Sequence, residues 1–258
     1  MDLLIHEKHR VLHLTLNRPG KRNALTAEMC SGIVRAVNEA QERSDIGCIL
    51  LSATGSVFCA GMDLDEAAQD GGERLFRAHD DLFSIGATSL KPLVICVNGA
   101  ALGGGVGLVA QGHVVVASDL AVFGLPEIRL GLWPFVVYRA VEAALGPRRT
   151  LQLSLTGELF QPTEALDWGL VHRICPSMEL ADRSKVMARE LAKASPRALA
   201  SGMQYFQTSR GKSWEDAGEL AGAMRAELMA SDDFQEGVAA FRQKREPRWP
   251  SMPREFYK

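Results

Sequence analysis

The chain has 258 residues, of which 47% are hydrophobic and 23% are charged, and its net charge is -2. This composition is typical of a globular protein and excludes a disordered or collagen-like chain. The small net charge gives no indication of a nucleic acid or an acidic membrane surface as partner, and no apolar run approaches the roughly 18 residues that a membrane span requires. We therefore expect neither kind of partner.

The five cysteines are scattered, and the N-terminus MDLLIHEKHRV lacks the basic flank and apolar run of a signal peptide. An odd number of separated cysteines argues against a disulfide framework, and together these features favour a cytoplasmic protein. The six histidines show no HExxH or Cys-His spacing. We therefore expect no metal site.

The first part of the chain predicts strands alternating with helices. LLIHEK and RVLHLTLN alternate apolar and polar residues, as two half-buried strands do. Thr26 is the expected N-cap of an amphipathic helix over 26–43. The apolar run CILLSA is the next strand, and the loop TGSVFCAGMDLDEA leads into a helix of about residues 73–89.

The runs KPLVICVNG and HVVVASD predict two more buried strands, and strands nearly vanish after about residue 135. Short helices are then predicted for RAVEAALG, PRRTLQLSL and PTEALDWG, and an extended segment is predicted for LVHRICP. Residues 178–245 are predicted to form three or four helices. Buried strands that alternate with helices indicate an α/β fold with a covered sheet, followed here by a helical region.

The stretch VNGAALGGGVGLVA, residues 97–110, places four glycines within five positions at the start of an apolar helix. One interpretation is close packing or a turn with positive φ. The other is access of a ligand to free N–H groups at a helix start, where the dipole favours negative charge. The stretch does not match the nucleotide-binding motifs. The pattern GxGxxG counted from Gly103 requires glycine at position 108, which is Leu108, and the P-loop pattern requires lysine at position 105, which is Gly105.

A second turn with glycine, FCAGMDL, follows the CILLSA strand just as the glycine cluster follows LVICVNG. If both strands lie in one sheet, backbone N–H groups from the two loops can converge on one oxygen, which is the geometry of an oxyanion hole. A purely structural turn is the alternative interpretation.

Glu127, in VFGLPEIRLGLWP, is the acid or base candidate. Its sequence neighbours are apolar: Leu125, Ile128, Leu130 and Trp133. Such surroundings predict a raised pKa and proton exchange near neutrality. A surface glutamate paired with Arg129 is the alternative.

Other candidates carry less weight. Cys59 is expected to be a small buried residue and not a nucleophile. His79, followed by Asp80 and Asp81, is expected on a solvated helix face. Three aromatic residues, Trp133, Phe135 and Tyr138, fit either an acyl pocket or the core.

Taken in order and spacing, several stretches resemble the crotonase family, also called the enoyl-CoA hydratase/isomerase family. They are NRPGKRNAL, FCAGMDL, VNGAALGGGVGL, AVFGLPEIRLGL, LTGELFQPTEALDWGLVHRICP and FQEGVAAFRQKREP, and they span nearly the whole chain. The resemblance implies a spiral of ββα units over 1–195 and a helical C-terminal region over 196–258 for trimerisation. It also implies an acyl-CoA thioester as ligand, coenzyme A as part of the substrate with no separate cofactor, and a homotrimer or a dimer of trimers.

Carried over motif by motif, the resemblance implies an oxyanion hole formed by the N–H groups of Met62 and Gly104, with Glu127 as proton carrier. Lys244 is expected near the CoA phosphates at a subunit boundary, with a solvated basic helix end as the alternative. The substrate-binding positions that the resemblance implies are Arg22, Ala24, Ala60, Gly61, Asp63, Leu64, Gly103, Trp133 and Lys244.

The chain departs from the family pattern at Gly107, where hydratases carry a second glutamate. One glutamate suffices to move a proton from C2 to C4, so the resemblance implies an enoyl-CoA isomerase or a one-glutamate hydratase of fatty acid or related acyl-CoA metabolism. Bulky Trp133, Phe135 and Tyr138 are expected to reshape or shorten the acyl pocket, and Trp133 and Phe135 are expected to fill the space of the missing acid.

Two alternatives remain open. One is another crotonase-type reaction, such as hydrolysis, dehalogenation or C–C bond chemistry, with an acid supplied by Asp65, Glu66 or Glu158. The other is a CoA-binding protein without catalysis.

Overall fold

The computed structural model describes residues 1–69, 73–253 and 256. The strands of this part are β1 (Leu3–Lys8), β2 (Val11–Leu16), β3 (Cys48–Ala53), β4 (Val57–Cys59), β5 (Leu93–Val97), β6 (Ala100–Leu102), β7 (Val114–Ser118), β8 (Phe123–Gly124), β9 (Leu159–Phe160) and β10 (Arg173–Cys175). The helices are α1 (Ala27–Gln41), α2 (Leu64–Ala67), α3 (Glu73–Leu82), α4 (Ile85–Thr88), α5 (Gly104–Ala110), α6 (Phe135–Leu145), α7 (Pro147–Thr156), α8 (Pro162–Asp167), α9 (Leu180–Ala192), α10 (Pro196–Thr208), α11 (Trp214–Met229) and α12 (Asp232–Gln243).

The strands form two sheets. The larger has the order β1-β2-β3-β5-β7-β10, with β1 antiparallel to β2 and the remaining pairs parallel. The smaller has the order β4-β6-β8-β9, in which only the β8–β9 pair is antiparallel. From β3 to β8, consecutive strands therefore alternate between the sheets, and a helix follows each of the pairs β3–β4, β5–β6 and β7–β8. This arrangement confirms the predicted spiral of ββα units.

The sequence explains the central elements directly. Thr26 caps α1 through its side chain, which accepts a hydrogen bond from the Met29 N–H at 3.2 Å, and Ile33 and Val37 of that helix are buried in the main core. The strands β3 and β5 carry continuous apolar residues because both faces of the larger sheet are covered, one by α1 and its neighbours and the other by α9.

The turn between β1 and β2 has an unusual composition. His9 and Arg10 both adopt positive φ, at 53° and 61°, whereas hairpin turns with this conformation usually contain asparagine or glycine. The Arg10 side chain is buried and donates hydrogen bonds to the carbonyls of Ala192 at 2.5 Å and Ser44 at 3.0 Å. These bonds connect the first hairpin to the end of α9 and to the segment that follows α1.

The expected helix over 73–89 is divided into α3 and α4. The break is stabilised by Gln111, whose side chain accepts a hydrogen bond from the Gly86 N–H at 2.6 Å and donates one to the Phe83 carbonyl at 2.7 Å. A second difference concerns the loop TGSVFCAGMDLDEA, which contributes strand β4 to the smaller sheet. All five cysteines are free and buried.

The C-terminal helices differ from the core. No residue of α10 or α11 is fully buried, and Trp214 and Phe241 are 96% and 85% exposed. The role of region 196–258 in trimerisation stays a prediction, and beyond residue 253 only Phe256 lies within the described residues. No helix of the described chain combines the length and apolar character needed to cross a membrane.

Candidate active site

The glycine cluster lies between β6 and α5, and its members serve different purposes. Gly103 has φ 53° and ψ -114°, a conformation that strongly favours glycine. A Cβ atom there would lie 2.7 Å from Glu127 Oε1. A Cβ on Gly105 would lie 2.3 Å from the Cys59 carbonyl oxygen, so this glycine permits α5 to pack against β4. The interpretation of this stretch as a positive-φ turn with close packing is therefore confirmed for Gly103 and Gly105.

Two backbone segments meet beside Gly104. A Cβ on Gly61, which has φ 94°, would lie 3.2 Å from the Gly104 nitrogen. Met62 forms an isolated parallel bridge with Leu25, in which the Leu25 N–H donates to the Gly61 carbonyl at 2.8 Å and the Asp63 N–H donates to the Leu25 carbonyl at 3.0 Å. The Met62 N–H takes no part in this bridge.

The Gly104 N–H is the first of helix α5 and therefore has no acceptor within that helix. Across residues 1–69, 73–253 and 256, no backbone or side-chain acceptor takes the N–H group of Met62 or of Gly104. The loops after β4 and β6 thus present adjacent N–H donors, which is an arrangement suited to an oxygen that gains negative charge.

Glu127 lies in a short 3-10 helix, Pro126–Leu130, with its carboxylate against Gly103. Its Oε2 atom is buried and has no hydrogen-bond partner among the described residues. Burial raises the pKa of Glu127 to about 7, because desolvation disfavours the charged carboxylate. The predicted rise is confirmed, and in the described chain Arg129 forms no ion pair with this carboxylate.

The Glu127 carboxylate and the two N–H donors share a cavity of about 130 Å³. The predicted site residues that line it are Ala60, Gly61, Met62, Leu64, Gly103, Gly104, Glu127 and Trp133. Further lining residues are His79, Phe83, Pro126, Leu130, Leu132, Pro134, Phe135, Val136 and Val137. Tyr138 stacks on Trp133 with ring centroids 6.2 Å apart but does not line the cavity.

Four of the predicted substrate-binding residues do not line this cavity. The Arg22 carbonyl accepts a hydrogen bond from the Ala60 N–H at 3.0 Å, and the Ala24 carbonyl accepts one from Arg18 at 2.7 Å. Asp63 caps α2 and pairs with Arg18 at 2.9 Å. Contacts of these residues with coenzyme A stay predictions.

Lys244, the fourth of these residues, ends α12 with a φ of 54° and is exposed. It lies outside the cavity walls of this chain. Its expected contact with the CoA phosphates also stays a prediction.

The expectation for His79 is wrong. Its side chain is only 5% exposed, lines the cavity and lies 5.6 Å from the Phe83 ring, centroid to centroid. The signal was present in the sequence, because Leu75, Ala78, His79 and Leu82 have the spacing i, i+3, i+4, i+7 of one buried helix face. The two aspartates that follow His79 masked this pattern.

The space beside Gly107 is also filled differently from the expectation. A Cβ on Gly107 would lie 2.6 Å from Val137 Cγ1 and 2.8 Å from Phe83 Cε1. Phe83 and Val137 therefore occupy the place where a second acid would project, while Phe135 is 70% exposed. The expected blocking role of Trp133 and Phe135 at this position is wrong.

The other acids do not reach the cavity. Asp65 is exposed and pairs with Lys21 at 3.0 Å, Glu66 accepts a hydrogen bond from the Ala27 N–H at 3.1 Å, and Glu158 accepts one from Gln152 at 2.7 Å. In the described chain, Glu127 is thus the one carboxylate that lines the cavity.

Cys59 is buried beside the glycine cluster. Burial raises the pKa of the Cys59 thiol to about 12, which agrees with the prediction that this residue is not a nucleophile. No cluster of three or more potential metal ligands from histidine, cysteine, aspartate or glutamate occurs in the part of the chain that the structure describes.

A family model described as enoyl-CoA hydratase/isomerase matches residues 6–252. The chain belongs to the enoyl-CoA hydratase/isomerase family. It is 33% identical to the 2,3-dehydroadipyl-CoA hydratase of Escherichia coli over 249 residues, covering 95% of this chain and 97% of the relative. It is 32% identical to the mevalonyl-coenzyme A hydratase sidH of Aspergillus fumigatus over 249 residues, covering 93% and 91%.

Solved structures show the same family resemblance. The crystal structure of an enoyl-CoA hydratase from Mycobacterium smegmatis superposes with a TM-score of 0.91 at 30% identity, covering 96% of this chain and 99% of that one. Human enoyl coenzyme A hydratase domain-containing protein 3 gives a TM-score of 0.91 at 28% identity, with coverages of 96% and 100%. The crotonase fold is thereby established for this chain.

Proposed function

We propose that this member of the enoyl-CoA hydratase/isomerase family forms a thioester enolate with Glu127 as its single proton carrier, and that it isomerises 3-enoyl-CoA faster than it hydrates 2-enoyl-CoA. The observation that carries the proposal is the pairing of one cavity carboxylate with a filled space beside Gly107. Hydration requires one group to activate water and a second to deliver a proton, whereas isomerisation needs one group for both transfers.

The proposed reaction starts with the thioester oxygen bound by the N–H groups of Met62 and Gly104. The Glu127 carboxylate takes the proton from C2, and the C–H electron pair moves into the enolate, whose negative charge the two donors stabilise. The same carboxyl group then delivers its proton to C4 while the double bond moves from C3–C4 to C2–C3. A pKa of about 7 suits a group that must both accept and donate a proton near neutrality.

The proposal is tested by incubating the protein in deuterated water with matched 3-enoyl-CoA, 2-enoyl-CoA and saturated acyl-CoA esters. We expect a shifted double bond from the 3-enoyl ester and deuterium at C2 of the saturated ester, both lost in Glu127→Gln. The exposed Glu39→Gln on α1 serves as the control. Efficient hydration without isomerisation would contradict the proposal.

We also infer that the helices of region 196–258 assemble copies of the chain into a trimer or a dimer of trimers. Exposed Trp214 and Phe241 on helices with few buried residues support this inference, because large exposed apolar groups often mark protein interfaces. Light scattering at micromolar concentration is expected to give a mass of three or six chains, and a monomer would refute the assembly.

A further inference from the structure

A second polar side chain faces the substrate cavity, and the proton transfers proposed above do not use it. His79 lies on α3, is 5% exposed and lines the cavity that also contains Glu127. Its Nε2 atom is buried and has no hydrogen-bond partner within the described ranges. A buried polar atom without a partner is uncommon in folded proteins and calls for an explanation.

The protonation state of His79 decides what this atom can do. Burial lowers the pKa of the His79 imidazole to about 4, and a weaker polar interaction with the Leu25 backbone opposes this shift. The ring is therefore neutral at pH 7. The interaction with the Leu25 backbone favours the tautomer with the hydrogen on Nδ1, and in that tautomer the unpartnered Nε2 is an acceptor.

This chemistry favours recognition over proton transfer. A group with so low a pKa is a weak base at neutral pH, and general bases work best when their pKa lies near the operating pH. An unpaired acceptor, by contrast, discriminates strongly between ligands that offer a hydrogen-bond donor and ligands that lack one, because the second kind leaves the acceptor unpaired.

The size of the cavity limits the ligand further. Its volume is about 130 Å³, and an apolar cavity of about 150 Å³ holds a benzene molecule, which has six non-hydrogen atoms. Phe83 and Val137 close the cavity beside Gly107. The space therefore accommodates roughly five non-hydrogen atoms of an acyl chain, by the same scale.

We propose that His79 is a specificity-determining residue whose Nε2 accepts a hydrogen bond from a donor group on the acyl chain, so that the substrates are short acyl-CoA thioesters carrying a hydroxyl group. The inference rests on the proposed function for the position of the thioester in the cavity. It assigns His79 no part in moving protons.

The test compares binding of saturated esters that can be neither isomerised nor hydrated. Calorimetry measures butanoyl-CoA, 4-hydroxybutanoyl-CoA, pentanoyl-CoA and 5-hydroxypentanoyl-CoA against the wild-type protein, with free coenzyme A as the reference. We expect at least one hydroxyl ester to bind about tenfold more tightly than its unsubstituted partner. Equal affinities within both pairs would overturn the proposal.

Two variants identify the residue responsible. His79→Leu removes the acceptor and is expected to reduce the preference to less than twofold, while His79→Gln retains a polar group and is expected to keep part of it. Asp81→Asn, an exposed neighbour on the same helix, is the matched control and should keep the wild-type preference. A preference that persists in folded His79→Leu would overturn the proposal.

A measurement on the wild-type protein keeps the proposal falsifiable if a variant does not fold. With ¹⁵N-labelled histidine, the Nε2 resonance of His79 is expected to shift with the hydroxyl ester and not with the unsubstituted ester, and an unchanged resonance would contradict the proposal. Failure of the deuterium experiment with an intact hydroxyl preference would reject only the proposed reaction. The opposite pattern would reject only the role of His79.

Discussion

The cavity has two walls of different construction. The glycine wall consists of Gly61, Gly103 and Gly104 with Met62 between them in the lining, and it presents the backbone N–H groups of Met62 and Gly104. The side-chain wall, residues 126–137, presents Glu127 and bulky apolar groups, some of them largely exposed, such as Leu130 at 64% and Phe135 at 70%. The shape of the glycine wall depends on the absence of side chains, and the shape of the other wall depends on the side chains that line it.

This difference separates two tasks. In the proposed reaction, every thioester places the same oxygen against the same donors, so the glycine wall has little freedom to vary without losing the ligand altogether. The side-chain wall would meet the acyl chain and the transferred proton, and there a substitution is expected to change the rate or the preference and to leave the thioester in place. Substitutions on the glycine wall should therefore reduce thioester binding, and substitutions on the side-chain wall should change the rate or the substrate preference.

The largest effect is expected on the glycine wall. A Cβ at Gly104 would lie 3.3 Å from both Gly61 Cα and Leu25 Cδ1, so the larger side chain of Gly104→Val must project toward the thioester position. Acyl-CoA binding in the productive pose should weaken by about 100-fold or more while free coenzyme A still binds, since it lacks the acyl group. Calorimetry with both ligands checks this, and equal loss of both would indicate misfolding or a different site.

On the side-chain wall, Glu127→Gln is expected to lower turnover by about 100-fold or more, the range for loss of a general base, while acyl-CoA still binds. In the wild-type protein, the rate of proton removal should rise about tenfold per pH unit up to about pH 7 and then level off, because the carboxylate is the active form. Steady-state rates between pH 5 and 9 provide the measurement. A variant with near-normal turnover would reject Glu127 as proton carrier.

The same substitution should stabilise the protein at high pH. Because the pKa of Glu127 is about 7 in the folded chain and 4.5 without the protein environment, ionisation costs folding stability as the pH rises from 4.5 to 7. At pH 8 the difference amounts to about 3 kcal/mol, and Glu127→Gln removes it. Urea unfolding should show this gain at pH 8 and almost none at pH 4.5. A constant difference at all pH values would contradict the buried carboxylate.

The filled space beside Gly107 provides a further test of the single-glutamate proposal. Gly107→Glu alone is expected to destabilise the protein by about 3 kcal/mol or more, because its Cβ would meet Val137 and Phe83. Combined with Phe83→Ala, the glutamate gains space, and hydration relative to isomerisation should rise several-fold. Assays of both reactions on one chain length, with Phe83→Ala alone as control, test this. An unchanged ratio in a folded double variant would show that the second acid is not what limits hydration.

Much of the fold could be predicted because its elements carry periodic patterns. The cap at Thr26 and the apolar run of β3 were sufficient to place α1 and a central strand. Strands β4, β6 and β8 have only two or three residues. Such segments are too short to show a period of two, and they exist because the neighbouring strands of the smaller sheet pair with them.

The parts of the candidate site that depend on backbone conformation or on neighbouring residues in the sequence could be predicted. Glycines mark the loop at Gly104, and apolar neighbours indicate the raised pKa of Glu127. The burial of His79 could also be read from the spacing of the buried face of α3, but the place of Phe83 beside Gly107 depends on how α3 packs in the folded chain. Contacts of that kind, between residues far apart in sequence, have no local signature.

The Arg10 turn has a consequence for how the molecule unfolds. A glycine would relieve the positive φ at this position but would remove the side chain that bonds to Ala192 and Ser44. The first hairpin therefore cannot separate from the end of α9 without breaking the buried hydrogen bond between Arg10 and Ala192. An N-terminal segment that would otherwise fray is thereby joined to the same cooperative unit as a helix about 180 residues later.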